Sequence, residues 1–515
     1  MKRCDGLLVA VLIVAATVRT VAVWTRDLPT GDEINCYIAQ AQAFADHGRI
    51  AALSDHPGVS LFYGAAIAAI RCIHLTLDGV VAANVFVWVG GVLTAAFVYL
   101  ALKALHGKGS AFLAAILVAV FPGCYFVLRG DLCLYGLFLS AMLLVLSRLI
   151  RQPSWRRALI TGLLGASLYL CRSDGLLVVA LTLGVTVLVF PTLWRHIALA
   201  LTAFAMVMAC FLFVRYLIMH DVGAGTSTRA FDAFYQAEGL QDGLGGSWQD
   251  YTERGLKRFG PPEKYGGSML RLVLANPGAI GKRIRGNAAL VDGYIRKSLG
   301  VPSFWLGVCC LGCFFCRKAR KAVTVAALPC LLVCSVYFIY YFQESYFVML
   351  SFGLAIASAI GVASFLEFAV IRVAWRRRAL VVTVVAGMAL ACSLGQRTCA
   401  PMVRAFGKTM SARCWEALVF LKRSAVNQEA TFFAYPYAGS RCMYIYAGGG
   451  EPDVTDGDIR GKSAGDIMAV MKAHRVAFVL ARKEQDDLWG LSACAETAYA
   501  NRADDVRVYR VRNLP

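Results

Sequence analysis

Charge is scarce in this chain, and acidic charge scarcest of all: charged residues fill 16% of the 515 positions, with 32 Asp and Glu against 52 Lys and Arg. With 58% apolar residues and a mean hydropathy of +0.60, so little charge excludes a single water-soluble core. The formal net charge of +20 forms no continuous basic stripe. Its residues are scattered between apolar runs, which excludes a nucleic-acid groove. A phosphate-binding loop of the Walker type is missing as well, since the glycines at 447–450 open no convincing helix and read as a turn. No clear small-x-small cleavage site follows the first apolar run, so that run is expected to stay as a span rather than leave as a signal peptide.

What is present is a series of apolar windows, each of the length that crosses about 30 Å of hydrocarbon. They fall near 6–24, 80–102, 109–127, 132–150, 158–171, 175–192, 197–217, 301–316, 322–341, 346–370 and 379–396. That predicts a polytopic α-helical membrane protein of about eleven spans. The short window at 158–171 and its neighbour also suit one interrupted hairpin, because only CRSDG parts them.

Basic clusters recur at Lys2 and Arg3, Lys103 and Lys108, Arg148 to Arg157, Arg195, Arg317 to Lys321, and Arg372 to Arg378. Lys and Arg are retained on the cytoplasmic side, and this span count puts every cluster there. The N-terminus is then cytoplasmic, and the 25–79 loop, the turn after the third span, the 218–300 segment and the C-terminal region are extracytoplasmic. The apolar stretch after His56 is bounded by Arg71 and His74, and we read it as an interfacial helix.

Two domains are expected: a membrane-embedded domain over 1–396, with external loops at 25–79 and 218–300, and a small α/β domain over 397–515. In the latter, ATFFAYP, MYIYAGG, VAFVLAR and VRVYRVR have strand patterns, while SARCWEALVFLKRSA and SAGDIMAVMKAHR have helical periodicity. The 18 cysteines lie mostly in apolar runs and read as small hydrophobes. CCLGCFFC, at 309–316, has metal-ligand spacing but sits in a window lacking charge compensation, so packing is the better reading. Cys399, Cys414, Cys442 and Cys494 could pair outside, with connectivity unreadable.

The groups assigned to the outer face are Asp32 and Glu33, Asp55 and His56, Arg129 and Asp131, Arg172 and Asp174, and Glu344. Window centres carry few ionisable residues. A coupled transporter needs such groups near the midplane, whereas an enzyme acting on a lipid head group needs them at the interface. Asp32 and Glu33 also suit a solvated helix start, with Thr30 to Asp32 as cap.

Asp32-Glu33 with Tyr37 one turn on, His56-Pro57, Asp131 after the third span and LITGLLGASLYLCRSDGLLVV follow in an order that resembles the GT-C membrane glycosyltransferases. The likeness is to the family 39 protein O-mannosyltransferases and the lipid A aminoarabinose transferases. It covers residues 1 to about 200 well, QESYFVMLSFGLAIA moderately and the C-terminal domain only by position. Gly58 stands where relatives often carry a second proline, and Ser345 where an arginine is expected.

The resemblance implies inverting transfer of a sugar from a polyprenyl-phosphate donor at the extracytoplasmic face. Asp32 takes the place of the base that deprotonates the acceptor, with Glu33 as its acidic neighbour. Arg129, Arg172, Lys257, Arg258 and Tyr346 become candidates to hold the donor phosphate, and Asp131, Asp55, His56, Asp174 and Glu344 support the site. A divalent cation, Mg or Mn, stays open. The partners implied are the donor, a glycan, lipid or protein acceptor, and membrane lipids, in a bacterial inner or plasma membrane. A lipid-linked oligosaccharide ligase or polymerase, and a lipid or solute transporter, are the competing classes.

Overall fold

The computed structural model describes residues 5–24, 61–62, 64–65, 79–120, 130–172, 174–219, 231–232, 234–238, 248–299, 307, 310–339, 348–370, 420–421, 431–434, 463–473, 476–482, 495–500 and 506–511. Its helices are α1 (Gly6–Trp24), α2 (Gly79–Leu105), α3 (Lys108–Val120), α4 (Gly130–Arg151), α5 (Trp155–Cys171), α6 (Gly175–Val189), α7 (Trp194–Met219), α8 (Trp248–Phe259), α9 (Met269–Ala275), α10 (Pro277–Leu299), α11 (Arg317–Ala326), α12 (Leu328–Ile339), α13 (Val348–Val370) and α14 (Ala464–Ala473). The chain forms two compact units, residues 1–19, 90–128 and 132–398 in one and 20–89, 129–131 and 399–515 in the other.

Among the described residues, four helical stretches are long and apolar enough to cross a membrane, Val85–Leu105, Leu132–Arg151, Pro191–Val214 and Met349–Glu367. α11 and α12 pass the same test together as a pair bent by 48°. The protein is thus an integral membrane protein by the length and composition of these helices. Helices 6–20, 108–120 and 175–189 are apolar but shorter, and the 379–396 window lies outside the described residues. Of the 301–316 window, the described part ends in a 3-10 turn, Gly312–Phe315, rather than a long helix.

The bend between α11 and α12 has a local cause. Pro329 stands at the second position of α12, where it has no N–H to donate and its ring crowds the preceding turn. Arg317 to Lys321, read from sequence as a loop, are therefore the first turns of a separate short helix that buries Ala319, Ala322, Val325 and Ala326.

The basic turns of the helical unit gather at one end. Lys103 pairs with Asp5, which also accepts from Tyr99 Oη at 2.8 Å. Arg151 donates to the Lys103 carbonyl at 3.4 Å, and Arg157 donates to the Arg148 carbonyl at 3.2 Å. Lys321 lies 5.0 Å over the Phe190 ring, joining the α6–α7 turn to α11. Exposed Trp155 and Trp194 stack under Arg156 and Arg195, each at 5.4 Å, as interfacial tryptophans do. Buried among these turns, His106 meets Ser110 through Nδ1 at 3.0 Å and Ser364 through Nε2 at 3.2 Å.

From that end α5 runs away, α6 returns and α7 leaves again. The approach is close because Gly162 faces α7, where any Cβ would overlap the Ala200 carbonyl oxygen. The α5–α6 turn closes on Gly175, where a Cβ would stand 2.8 Å from the Leu168 carbonyl group. Small residues at such crossings let apolar helices gain dispersion contact without a solvent-driven force.

In the second unit a four-stranded sheet has the order β1-β2-β4-β3, from β1 (Thr431–Ala434), β2 (Val476–Arg482), β3 (Glu496–Ala500) and β4 (Val506–Arg510). β1 and β2 are parallel and the other pairs antiparallel. α14 covers one face, burying Ile467, Met468 and Met471 against Val476, Val479 and Tyr509. On Tyr499 of β3, Phe420 stacks at 5.0 Å. The expected strands ATFFAYP, VAFVLAR and VRVYRVR and the helix SAGDIMAVMKAHR are present, while β3 was not foreseen. MYIYAGG, the 447–450 glycines and the four external cysteines lie outside the described residues.

Two measurements check this packing. Gly162→Val is expected to lower the detergent unfolding temperature sharply, whereas Gly184→Ala, with open space around its site, leaves it unchanged. Burial, with Lys318 acting in the same direction, pulls the His106 imidazole from 6.5 down to about 4. Unfolded His106 takes up a proton below pH ~6.5 and the folded form only near 4, so on the order of 3 kcal/mol of stability present above 6.5 is lost across that window. Thermal unfolding followed from pH 7 to 4 is expected to show this decline, flattened in His106→Gln.

Candidate functional site

Arg172 ends α5 and Asp174 precedes α6, so a cation sits at a helix C-terminus and a carboxylate at a helix N-terminus, each favoured by the local dipole. Arg172 is extended, with φ −157° and ψ 137°, which turns its side chain back across the hairpin. Its Nε donates to Asp174 Oδ1 at 3.3 Å and Oδ2 at 3.4 Å. The Tyr337 hydroxyl, near the end of α12, donates to the same carboxylate. The Tyr135 ring, near the start of α4, lies 5.9 Å from the guanidinium carbon.

These four residues come from the ends of α4, α5, α6 and α12 that lie away from the basic turns. Arg172 is only 8% exposed, and a guanidinium so enclosed needs both its carboxylate and further polar contacts. Among the described residues the buried Tyr135 hydroxyl has no hydrogen-bond partner. Sequence reading assigned Arg172 and Asp174 to this face and missed the two tyrosines, which look like ordinary span residues in LCLYGLF and VYFIYYF.

The described residues of the 218–300 segment reach α12 beside this site. Phe231, Phe234, Tyr235, Phe259, Tyr265, Leu272 and Ile280 form an aromatic core under α8, α9 and α10. Within it, Glu238 accepts from both Arg258 and Arg283. The Arg283 guanidinium also covers the Phe234 ring at 3.9 Å and donates to the Ile339 carbonyl at 3.3 Å, while Asn287 donates to the Phe338 carbonyl at 2.8 Å. Those carbonyls are the ones α12 leaves without partners at its C-terminus. Burial, with the Arg258 charge beside it, pulls Arg283 down to about 10.

Of the residues named from sequence, Asp32, Glu33, Asp55, His56, Arg129, Glu344 and Tyr346 lie outside the described residues, as does the Asp131 side chain on the first turn of α4. Lys257 is exposed on α8. Arg258 is engaged by Glu238, so the structure gives it a folding role within the loop that sequence reading did not foresee.

Among the described residues no three metal-ligating side chains gather. Asp174, the carboxylate at the Arg172 end, is already engaged by Arg172 and Tyr337 and does not fit a divalent cation. The cysteines at 310 and 313 are taken up in packing: Cys310 lies 3.8 Å from Ser358 Oγ and Cys313 donates to the Ala357 carbonyl at 3.3 Å.

The sequence matches no protein-family model and no curated protein. Solved structures do match. ArnT from Cupriavidus metallidurans bound to undecaprenyl phosphate is 12% identical, covers 99% of both chains and superposes with a TM-score of 0.59. The archaeal oligosaccharyltransferase AglB from Archaeoglobus fulgidus, in complex with an inhibitory peptide and a dolichol-phosphate, is 13% identical over 99% of this chain and 74% of that one, with a TM-score of 0.56. A further structure of the same oligosaccharyltransferase, complexed with Zn and sulfate, gives 14% identity, coverage of 98% and 73%, and a TM-score of 0.54.

The stability of the Arg172 cluster is directly measurable. Asp174→Asn strands a buried cation and is expected to destabilise by about 3–5 kcal/mol, more than the about 1.5–3 kcal/mol expected for Tyr337→Phe, which removes one bond to a charged group. Thermal unfolding of both variants and of the double variant in nanodiscs checks the order and gives the coupling. The superposition over nearly the whole length shows that this chain shares its fold with ArnT and with the oligosaccharyltransferase AglB.

Proposed function

We propose that the chain is an inverting glycosyltransferase that moves a sugar from a polyprenyl-phosphate donor to an acceptor at the extracytoplasmic membrane face. The observation that carries this reading is the enclosed Arg172, fixed by Asp174 at the end of the helical unit opposite the basic turns. Retention of Lys and Arg on the cytoplasmic side assigns the basic-turn end and the N-terminus inward. Arg172 then faces outward, where a lipid-linked donor presents its phosphate. The likeness to a transferase solved with undecaprenyl phosphate supports the donor class.

In the reaction the acceptor hydroxyl oxygen bonds to the anomeric carbon and the C1–O bond to the carrier phosphate breaks, its electron pair leaving on the phosphate oxygen. Asp32 takes the hydroxyl proton, with Glu33 beside it. Arg172 meets the charge that grows on the departing phosphate, and its fixed orientation means little reorganisation is needed as the bond breaks. Arg129, Lys257 and Tyr346 remain donor-binding candidates, and Asp131, Asp55, His56 and Glu344 supporting ones. The likeness to an oligosaccharyltransferase supports a second reading, a ligase acting on a longer lipid-linked glycan.

The test is to incubate protein in nanodiscs with a panel of polyprenyl-monophosphate sugars and host membrane extract, and to follow donor and product by mass spectrometry. Donor consumption with a glycosylated product is expected in the wild type, abolished in Asp32→Asn and reduced about 10²–10³-fold in Arg172→Gln. Consumption of pyrophosphate-linked donors alone would favour the ligase. Turnover retained in Asp32→Asn would sink the base assignment.

A further inference from the structure

We infer that α9 and α10 form a lipid-docking face that rests on an anionic phospholipid leaflet. α9 turns Leu272 into the aromatic core beneath it. Leu270 and Leu274 each lie two positions from Leu272, on the opposite side of the helix, and are 67% and 70% exposed. Two large aliphatic side chains one turn apart and this bare call for an apolar neighbour.

α10 completes the face. It buries Ile280, Arg283, Asn287 and Val291, a stripe at three- and four-residue spacing, and turns Lys282 and Arg285 outward. Ile284 and Leu290 flank that basic row, 39% and 54% exposed. From Ser268 to Val291 the sequence has Arg271, Lys282, Arg283 and Arg285 and no acidic residue. Arg283 is engaged by Glu238, which leaves Arg271, Lys282 and Arg285 exposed.

The height of this face is set by its anchor. Arg283 and Asn287 hold the last carbonyls of α12, the second half of a pair long and apolar enough to span. α9 and α10 therefore sit where a spanning helix stops, at head-group level. Leucines there enter the acyl boundary while the basic side chains meet lipid phosphates, the division that amphipathic interfacial helices make. A protein partner would satisfy the leucines, but it accounts for neither the single sign of charge nor the level.

The experiment places p-benzoylphenylalanine at Leu274 in the full-length protein, reconstituted in nanodiscs of phosphatidylcholine with or without phosphatidylglycerol. After irradiation, peptide–lipid adducts are read by mass spectrometry, with Leu188 on apolar helix α6, 80% exposed, as the positive control. Adducts are expected at 274 in both discs, at least about threefold more with phosphatidylglycerol. That gain is expected to vanish in the triple variant Arg271→Gln, Lys282→Gln, Arg285→Gln. Position 270 takes the probe if the 274 variant is not monodisperse. Adducts at 188 but not at 270 or 274, adducts to protein in place of lipid, or a yield indifferent to phosphatidylglycerol would each overturn the inference. None of these readouts depends on glycosyl transfer.

Discussion

The carboxylate of Asp174 accepts from both Arg172 and Tyr337, and the interior of the helical unit at that end depends on it. A guanidinium enclosed by apolar helices is costly unless its charge is matched and its donors are used. Asp174 does this from two residues away, so matching requires only the short turn between α5 and α6. Tyr337 then ties that turn to α12. One carboxylate thereby fixes three helix ends, and the position of Arg172 follows from the way the bundle closes.

α12 transmits this constraint to the loop. Its last carbonyls, those of Ile339 and Phe338, are taken by Arg283 and Asn287 of α10. The same Arg283 neutralises Glu238 and covers Phe234, so the aromatic core of the 218–300 segment is fastened to the helix that carries Tyr337. A charge change at Glu238 would reach the Arg172 turn through a continuous set of contacts. Coupling of this kind is physical only to the extent that each link is bonded, and here the links are the Glu238–Arg283 ion pair, the Arg283–Ile339 hydrogen bond, the α12 backbone from Ile339 to Tyr337 and the Tyr337–Asp174 hydrogen bond.

Much of this was legible in the sequence, for identifiable reasons. Apart from 301–316, the apolar windows that fall among the described residues became helices, because hydrocarbon leaves the backbone no other way to satisfy itself. Some of the basic turns read as sharing one side do touch: Arg151 donates to the Lys103 carbonyl and Lys321 lies over Phe190. Arg172 and Asp174 stood out because charge is rare in such runs. Tyr135 and Tyr337 did not, since an aromatic in a span has no signature that separates a lipid-facing ring from a hydroxyl aimed at a carboxylate. β3 was missed because Glu496 to Ala500 is a short, polar edge strand, the composition that keeps an edge from pairing with other chains. The break in the α11–α12 pair was readable from Pro329, yet the hydropathy window averages across it.

The buried charges of the helical unit are also polarised along its length. Asp5, just before α1, is pinned to the basic end by Lys103, and Arg19 lies about 20 Å further along the helix, buried where Gly91 leaves room for its side chain. Arg172 and Asp174 lie at the ends of α5 and α6 away from the basic turns, and Arg283, paired with Glu238, holds the last carbonyl of α12. A transport site requires ionisable groups near the midplane, accessible in turn from each side. Among the described residues the enclosed Arg172 and Arg283 stand toward one end instead, and under the proposed function that is the end at which a phosphate anchored by a lipid tail arrives. On that proposal the placement of Arg172 suits chemistry at the interface better than passage through the membrane.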